Sequence, residues 1–271
     1  MKFRFFILSI LALSGIVSCN KTDNSEFTDT PIIEAYLKPG ENPVVKIRRQ
    51  IPFSSIVLYS TDSLNHLDVR ITNNNVSNKL VCVGDSEYIN KSLIIKESER
   101  YDLSFIFNGK TVSAYTNVPS RPTGFAQSVK SISLQKTDST SGPQQMGSMP
   151  EPVSLTWDNN DGSYYIVVIE NLAASLVPIR SFGNREPPGN RFRKAPTTAS
   201  GLTLMAMEFQ YFGKHRLILY HVLPDYASLY NTQESSSLNL TNPSTSITNG
   251  YGIFTGLNAD TLYLDVNQST L

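Results

Sequence analysis

The sequence is short of charge, of cysteine and of histidine. Only 17% of its 271 residues are charged, and 23 Lys and Arg balance 23 Asp and Glu. That balance leaves none of the basic excess by which nucleic-acid binders neutralise phosphates, and it excludes the highly charged disordered class. Two cysteines build no disulfide scaffold, and three histidines leave little material for a histidine-rich metal site. No apolar run reaches the roughly 20 residues that a membrane-spanning helix needs. The Gly-x-Ser-x-Gly elbow, His-Glu-x-x-His, the Walker loop and the dinucleotide glycine fingerprint are all missing. The chain therefore reads as non-enzymatic, with no cofactor and no metal. Uncharged polarity fills the gap: 33 Ser, 21 Thr and 22 Asn favour turns, caps and strand surfaces over helix interiors, which points to an all-β chain.

Residues 1–18 have the form of a secretory signal. Lys2 and Arg4 supply the positive start, and Phe5 to Val17 form an apolar run too short to span a bilayer. The run ends Ile16-Val17-Ser18-Cys19, which resembles the bacterial lipobox, where cleavage precedes a cysteine that is then acylated. The resemblance implies lipid attachment at Cys19 and anchoring of the mature protein to a membrane by its acyl chains. A lipidated Cys19 leaves Cys82 without a disulfide partner, and the setting Leu80-Val81-Cys82-Val83 suggests a small buried hydrophobe in a strand. Residues 19–30 are polar and aperiodic, as a flexible tether is. Their Lys and acidic residues resemble the export signal of lipoproteins carried to the outer face of the outer membrane.

The rest divides into two β-sandwich modules of immunoglobulin or fibronectin-like size, 31–119 and 123–271, with Arg121-Pro122 as linker. In the first, Tyr101, Leu103, Phe105 and Phe107 alternate with polar neighbours up to Asn108-Gly109. Alternation resumes through Val112 and Ala114, so the pair predicts a hairpin with a type I′ turn. An Asn-rich turn is expected at 73–75. In the second, Pro152 to Trp157 and Tyr164 to Ile169 predict a hairpin through Asp158-Asn159-Asn160-Asp161-Gly162. Leu202 to Phe212 and His215 to Leu223 predict another, turning at Gly213-Lys214. Asp225 to Asn231, with Asp225 as N-cap, is the one short helix expected. Strands near 247–254 and 261–266 close the chain.

The order of these segments resembles the Bacteroidota lipoproteins that carry the domain of unknown function numbered 4249. The similarity is carried by Ile33-Glu34-Ala35-Tyr36-Leu37, by Tyr101-Asp102-Leu103 through Asn108-Gly109 to Val118-Pro119, and by Trp157-Asp158 with Tyr164-Tyr165. The closing segment Asn242-Pro243 and Ile247-Thr248-Asn249-Gly250-Tyr251-Gly252-Ile253-Phe254 completes it. The resemblance implies outer-membrane localisation and association with TonB-dependent receptors in nutrient import, and no catalytic residues. A structural surface protein, such as an adhesin or fimbrial component, is the alternative that the same anchor and sandwiches would serve.

Two segments look like metal sites and fail as such. In one regular strand His215 and His221 would share a face but stand about 20 Å apart at about 3.3 Å per residue. The Asp158–Gly162 loop has its glycine at the fifth position and Ile169 at the twelfth, so it lacks the calcium-loop pattern. Binding surfaces are better founded. Trp157, Tyr164, Tyr165, Tyr211, Phe212, Tyr220, Tyr226 and Tyr230 crowd the second module, divided by alternation between core and surface. Arg180, Arg185, Arg191, Arg193 and Lys194 share one segment with a single acid, Glu186. That makes 178–200 the candidate contact for a receptor or for anionic lipopolysaccharide. Ser63, Ser139 and Thr261 stand in tripeptides resembling the O-glycosylation acceptor of Bacteroidota.

Overall fold

The computed structural model describes residues 29–50, 61–138, 151–181, 189–231 and 245–269. Cys19, Arg185, Ser139 and the signal and tether up to residue 28 lie outside these. The described residues form an all-β structure of sandwich type with one short α-helix.

The first core is enclosed by two sheets. One joins β1 (Pro31–Leu37), β2 (Val44–Arg49), β6 (Glu87–Ile89) and β5 (Val81–Gly84). The other runs β4 (Val76–Lys79), β3 (Arg70–Asn73), β7 (Arg100–Phe107), β8 (Lys110–Asn117). Alternation decides the interior: Ile33, Ala35 and Leu37 from β1 meet Tyr101, Leu103, Phe105 and Phe107 from β7. The β7–β8 hairpin forms as expected, pairing Phe107 with Lys110 across Asn108 (φ 46°) and Gly109 (φ 74°). Asn74 and Asn75 do the same between β3 and β4, both with positive φ. Cys82 is only half-buried, with Sγ 3.6 Å from Asn65 Oδ1, because β5 is an edge strand.

The second core lies between β9 (Ala126–Gln127), β12 (Val153–Thr156) and β16 (Gly201–Leu204) on one side and a larger sheet on the other. That sheet brings together β10 (Ser131–Leu134), β13 (Tyr164–Asn171), β15 (Arg191–Arg193), β17 (Gly213–Val222) and β18 (Tyr251–Gln268). A short pair, β11 (Thr137–Asp138) with β14 (Arg180–Ser181), stands apart. Both hairpins expected here are corrected. β12 pairs with β9 and β16 while β13 pairs with β15 and β17, so 158–162 turns the chain from one sheet to the other. Trp157 and Leu155 enter the core from one side and Tyr165 and Val167 from the other. Residues 202–212 are not one strand: β16 stops at Leu204 and a 3-10 turn covers Ala206–Glu208, so β17 finds its partners in β13 and β18. The helix α1 (Pro224–Asn231) starts one residue early. Proline fills the first turn, where its missing N–H costs nothing, and Asp225 accepts the Tyr226 amide and the Thr255 hydroxyl instead of capping from outside.

The two closing strands expected from the sequence are one. β18 has 18 residues and spans about 60 Å at about 3.3 Å per residue. Its first part pairs in parallel with β1, from Ile32↔Tyr251 to Leu37↔Gly256. Its second part pairs antiparallel with β17, from Val222↔Leu257 to Gly213↔Val266. The division at residue 123 is amended accordingly, since Ile247 and Phe254 belong to the first core. Even-numbered residues show why one strand serves two cores: Phe254 fills the first and Leu264 and Val266 the second, with Gly256, Asn258 and Asp260 between. These three meet the linker. Gly256 lies so close to Val118 that a Cβ would stand 2.6 Å from its Cα, Asn258 Nδ2 donates to Pro119 O at 3.0 Å, and Arg121 donates to Asp260 at 2.6 Å. His221 Nδ1 donates to Ser120 O at 3.0 Å.

Candidate functional site

The strands β13, β17 and β18 have a second face. Odd residues of β13 and β17 point into the second core; even ones form a separate apolar patch of Ile166, Val168, Ile218 and Val222, which Leu257 of β18 completes. Among the described residues no second sheet lies over this patch. α1 lays Tyr226 and Tyr230 against it from one side, and Tyr36 approaches from β1, made continuous with the patch by β18. Tyr36 is on the outer face because Ile33, Ala35 and Leu37 take the inner one.

The result is a cavity of about 530 Å³ with a sheet floor, tyrosine walls and a basic rim. That size falls within the roughly 300–1,000 Å³ of small-ligand sites. Ile166, Val168, Val222 and Leu257 form the floor, while Tyr36, Tyr220, Tyr226 and Tyr230 supply ring surface. Tyr36 and Tyr226 meet edge to face at 5.9 Å, and Tyr226 and Tyr230 follow at 6.4 Å. Arg191 and Arg193 enter from β15, whose pairing with β13 sets Arg193 beside Val168 and Arg191 beside Glu170. The Arg193 guanidinium lies 4.8 Å from the centre of the Tyr230 ring. Lys38, just past the end of β1, completes the rim and shares its charge with Glu41 at 3.4 Å.

Burial raises the hydroxyl pKa of Tyr36 and Tyr230; Glu34 and Tyr226 add to the rise at Tyr36, and nearby Arg193 opposes it at both. These phenols stay protonated and able to donate. Among the described residues the buried Tyr230 hydroxyl has no hydrogen-bond partner. Of the nearby carboxylates, Glu170 is engaged by Arg216 and Asp225 by Thr255 and the Tyr226 amide, while Glu34 stands near Tyr36. Burial raises the Asp225 pKa. Among the described residues no cluster of His, Cys, Asp and Glu could hold a metal, and no helix is long and apolar enough to cross a membrane.

The four described cations of the basic segment do not act together. Arg180 is half-buried and donates to Met207 O at 2.5 Å and Phe209 O at 2.9 Å, and Lys194 forms an ion pair with Glu208. Both therefore hold the 3-10 turn over the second core. Arg191 and Arg193 reach the cavity, and Arg185 is outside the described residues. Four of the eight aromatics named from the sequence are core: Trp157, Tyr165, Tyr211 and Phe212. Tyr164, Tyr220, Tyr226 and Tyr230 pack with the outer patch. The sequence reading missed Tyr36 and Lys38, which belong to the other module; the parity of Tyr36 against its three buried neighbours was the available signal. His215 and His221 both face inward. His215 Nδ1 donates to Gly213 O and Nε2 accepts from Asn171, while His221 stacks on Tyr165 at 4.9 Å. Ser63 is exposed and its hydroxyl accepts from Arg49 at 3.1 Å; Thr261 is half-buried opposite Ile218.

Comparison with curated proteins finds no match. A family profile does match, over residues 21–262, and so takes in the first core and most of the second. The chain belongs to that family, described as a domain of unknown function (DUF4249).

Proposed function

We propose that the protein is a lipid-anchored outer-membrane protein that acts without catalysis, as an accessory binding or scaffolding subunit of a TonB-dependent nutrient import system. The observation that carries this reading is the cavity on the outer face of the shared sheet. Flat aromatic walls, an apolar floor and a cationic rim are groups that hold a ligand or partner by area and charge. The anchor rests on the lipobox-like ending at Cys19, and the receptor association on the family resemblance.

Extraction of the native protein from its own membranes in mild detergent tests the whole reading. The expected result is an acylated mature amino terminus by intact mass and co-purification of a receptor-sized outer-membrane protein. Cys19→Ser abolishes both membrane retention and the complex. Recovery of assemblies made only of this chain would overturn the import reading in favour of a surface structural role.

A further inference from the structure

The cavity carries information about what enters it. Among the described residues lining it, Lys38, Arg191 and Arg193 are cationic and none is acidic; the carboxylate acting on the walls is Glu34, beside Tyr36. Neither arginine forms an ion pair among the described residues, in contrast to Arg121 and Arg216, which do. Unpaired guanidinium groups on one rim are a standing preference for an anion, because their fork fits a carboxylate or phosphate in two parallel hydrogen bonds. The walls add a second requirement. Tyr220, Tyr226 and Tyr230 offer ring faces and edges over an apolar floor, so the best-fitting body is flat and apolar on at least one side. The Tyr230 hydroxyl is a buried polar group with no partner among the described residues, and it lies beside Arg193.

We propose that this cavity binds a small ring-bearing organic anion, its ring laid on the tyrosines and its acidic group held by Arg191 and Arg193. This rests on the binding role proposed above and names the chemistry of the occupant. Two sources share that chemistry, an acidic sugar and an aromatic carboxylate. The ring contacts the Tyr226 and Tyr230 side, and the charge sits at β15; Lys38, paired with Glu41, contributes little. Binding therefore weakens as salt is raised, since the rim is open to solvent and its charges are screened.

Calorimetric titration of the purified mature chain tests it with four probes in two matched pairs, trigalacturonate against galactotriose and benzoate against benzyl alcohol, with inorganic phosphate as an anion lacking a ring. At least one anionic ring is expected to bind about tenfold or more tightly than its uncharged counterpart, and the pair that shows it identifies the source. The doubly substituted Arg191→Gln, Arg193→Gln protein should lose that discrimination while melting normally, because both side chains are exposed. Tyr226→Ala should weaken charged and uncharged rings alike. Arg100→Gln, which removes a cation lying 4.2 Å from the Tyr115 ring centre in the first module, should change nothing. Equal binding of charged and uncharged rings, binding of phosphate as tight as that of the anionic rings, or no binding by either anionic ring would each overturn the proposal. Receptor co-purification is scored separately. A receptor without ring binding defeats this inference alone, and ring binding without a receptor defeats the import reading alone.

Discussion

The two faces of the sheet formed by β13, β17 and β18 are made of the same strands and differ only in residue parity, yet they do opposite work. Inward, Leu217, Leu219 and Leu264 are 0% exposed and pack against Val153, Leu155 and Trp157 of the facing sheet. Outward, Ile166, Val168 and Ile218 are also buried, at 2%, 4% and 7% exposed, but they lie beneath half-buried tyrosines, and Ile166 and Val168 line the cavity. A sheet face covered by another sheet is committed to stability. One covered by half-buried tyrosines, with arginines at its edge, offers ring surface and charge to a partner.

The largest contrast should appear on truncation. Leu217→Ala opens a void in a closed core and is expected to cost about 2–5 kcal/mol, visible as a lower midpoint in denaturant. Tyr226→Ala, in a wall already open to solvent, should cost well under half as much. If the two losses were equal, the outer face would be as much a core as the inner one.

Protonation sharpens the same contrast. Burial holds the His215 imidazole below its ordinary value of 6.5, so the native state keeps it neutral while the unfolded chain takes up a proton more readily. The sign follows: its contribution to stability is complete above 6.5 and is lost as pH falls from there through the depressed native value. Melting temperature should drop on acidification across that window, and His215→Gln should flatten the drop. Asp225 runs the other way, because burial raises its native pKa above 3.8 and the folded state there prefers the proton. As pH rises from 3.8 through the raised value, stability is lost. Asp225→Asn should therefore be at least as stable as the parent at neutral pH, with its relative gain shrinking toward pH 4.

The smallest stability effect should come from the rim. Arg191→Gln and Arg193→Gln are expected to shift stability within about 0.5 kcal/mol, whereas Arg180→Gln frees two carbonyls over the second core and should cost more. Chemical denaturation of the three variants side by side separates the cations that hold the turn from those that face the cavity.

Much of this was legible in the residues. The Asn108-Gly109 hairpin was, since both positions accept positive φ and alternation flanks them on either side. Arg191 and Arg193 stood out by the density of cations around them, and they line the cavity together with Tyr220, Tyr226 and Tyr230. What could not be read was pairing between segments distant in sequence. Trp157 and Tyr165 look like the two arms of a hairpin because both arms are strands facing one core, and a turn between sheets leaves the same alternation as a turn within one. Residues 247–266 look like two strands because Gly256, Asn258 and Asp260 interrupt the apolar pattern. That interruption marks where the strand crosses the linker between modules. Tyr36 was missed for the same reason, since nothing local to β1 says that β18 will carry its outer face into the second module.

Tyrosine nitration read residue by residue by mass spectrometry, with and without the tightest-binding anionic ring, tests most directly whether the outer face is the binding face. Tyr36, Tyr220, Tyr226 and Tyr230 should be modified in the free protein and protected when the cavity is filled, with Tyr165 and Tyr211 unmodified in both. Reaction of Tyr165 as fast as that of Tyr226, or unchanged reaction of the four outer tyrosines in the presence of the ring, would contradict it.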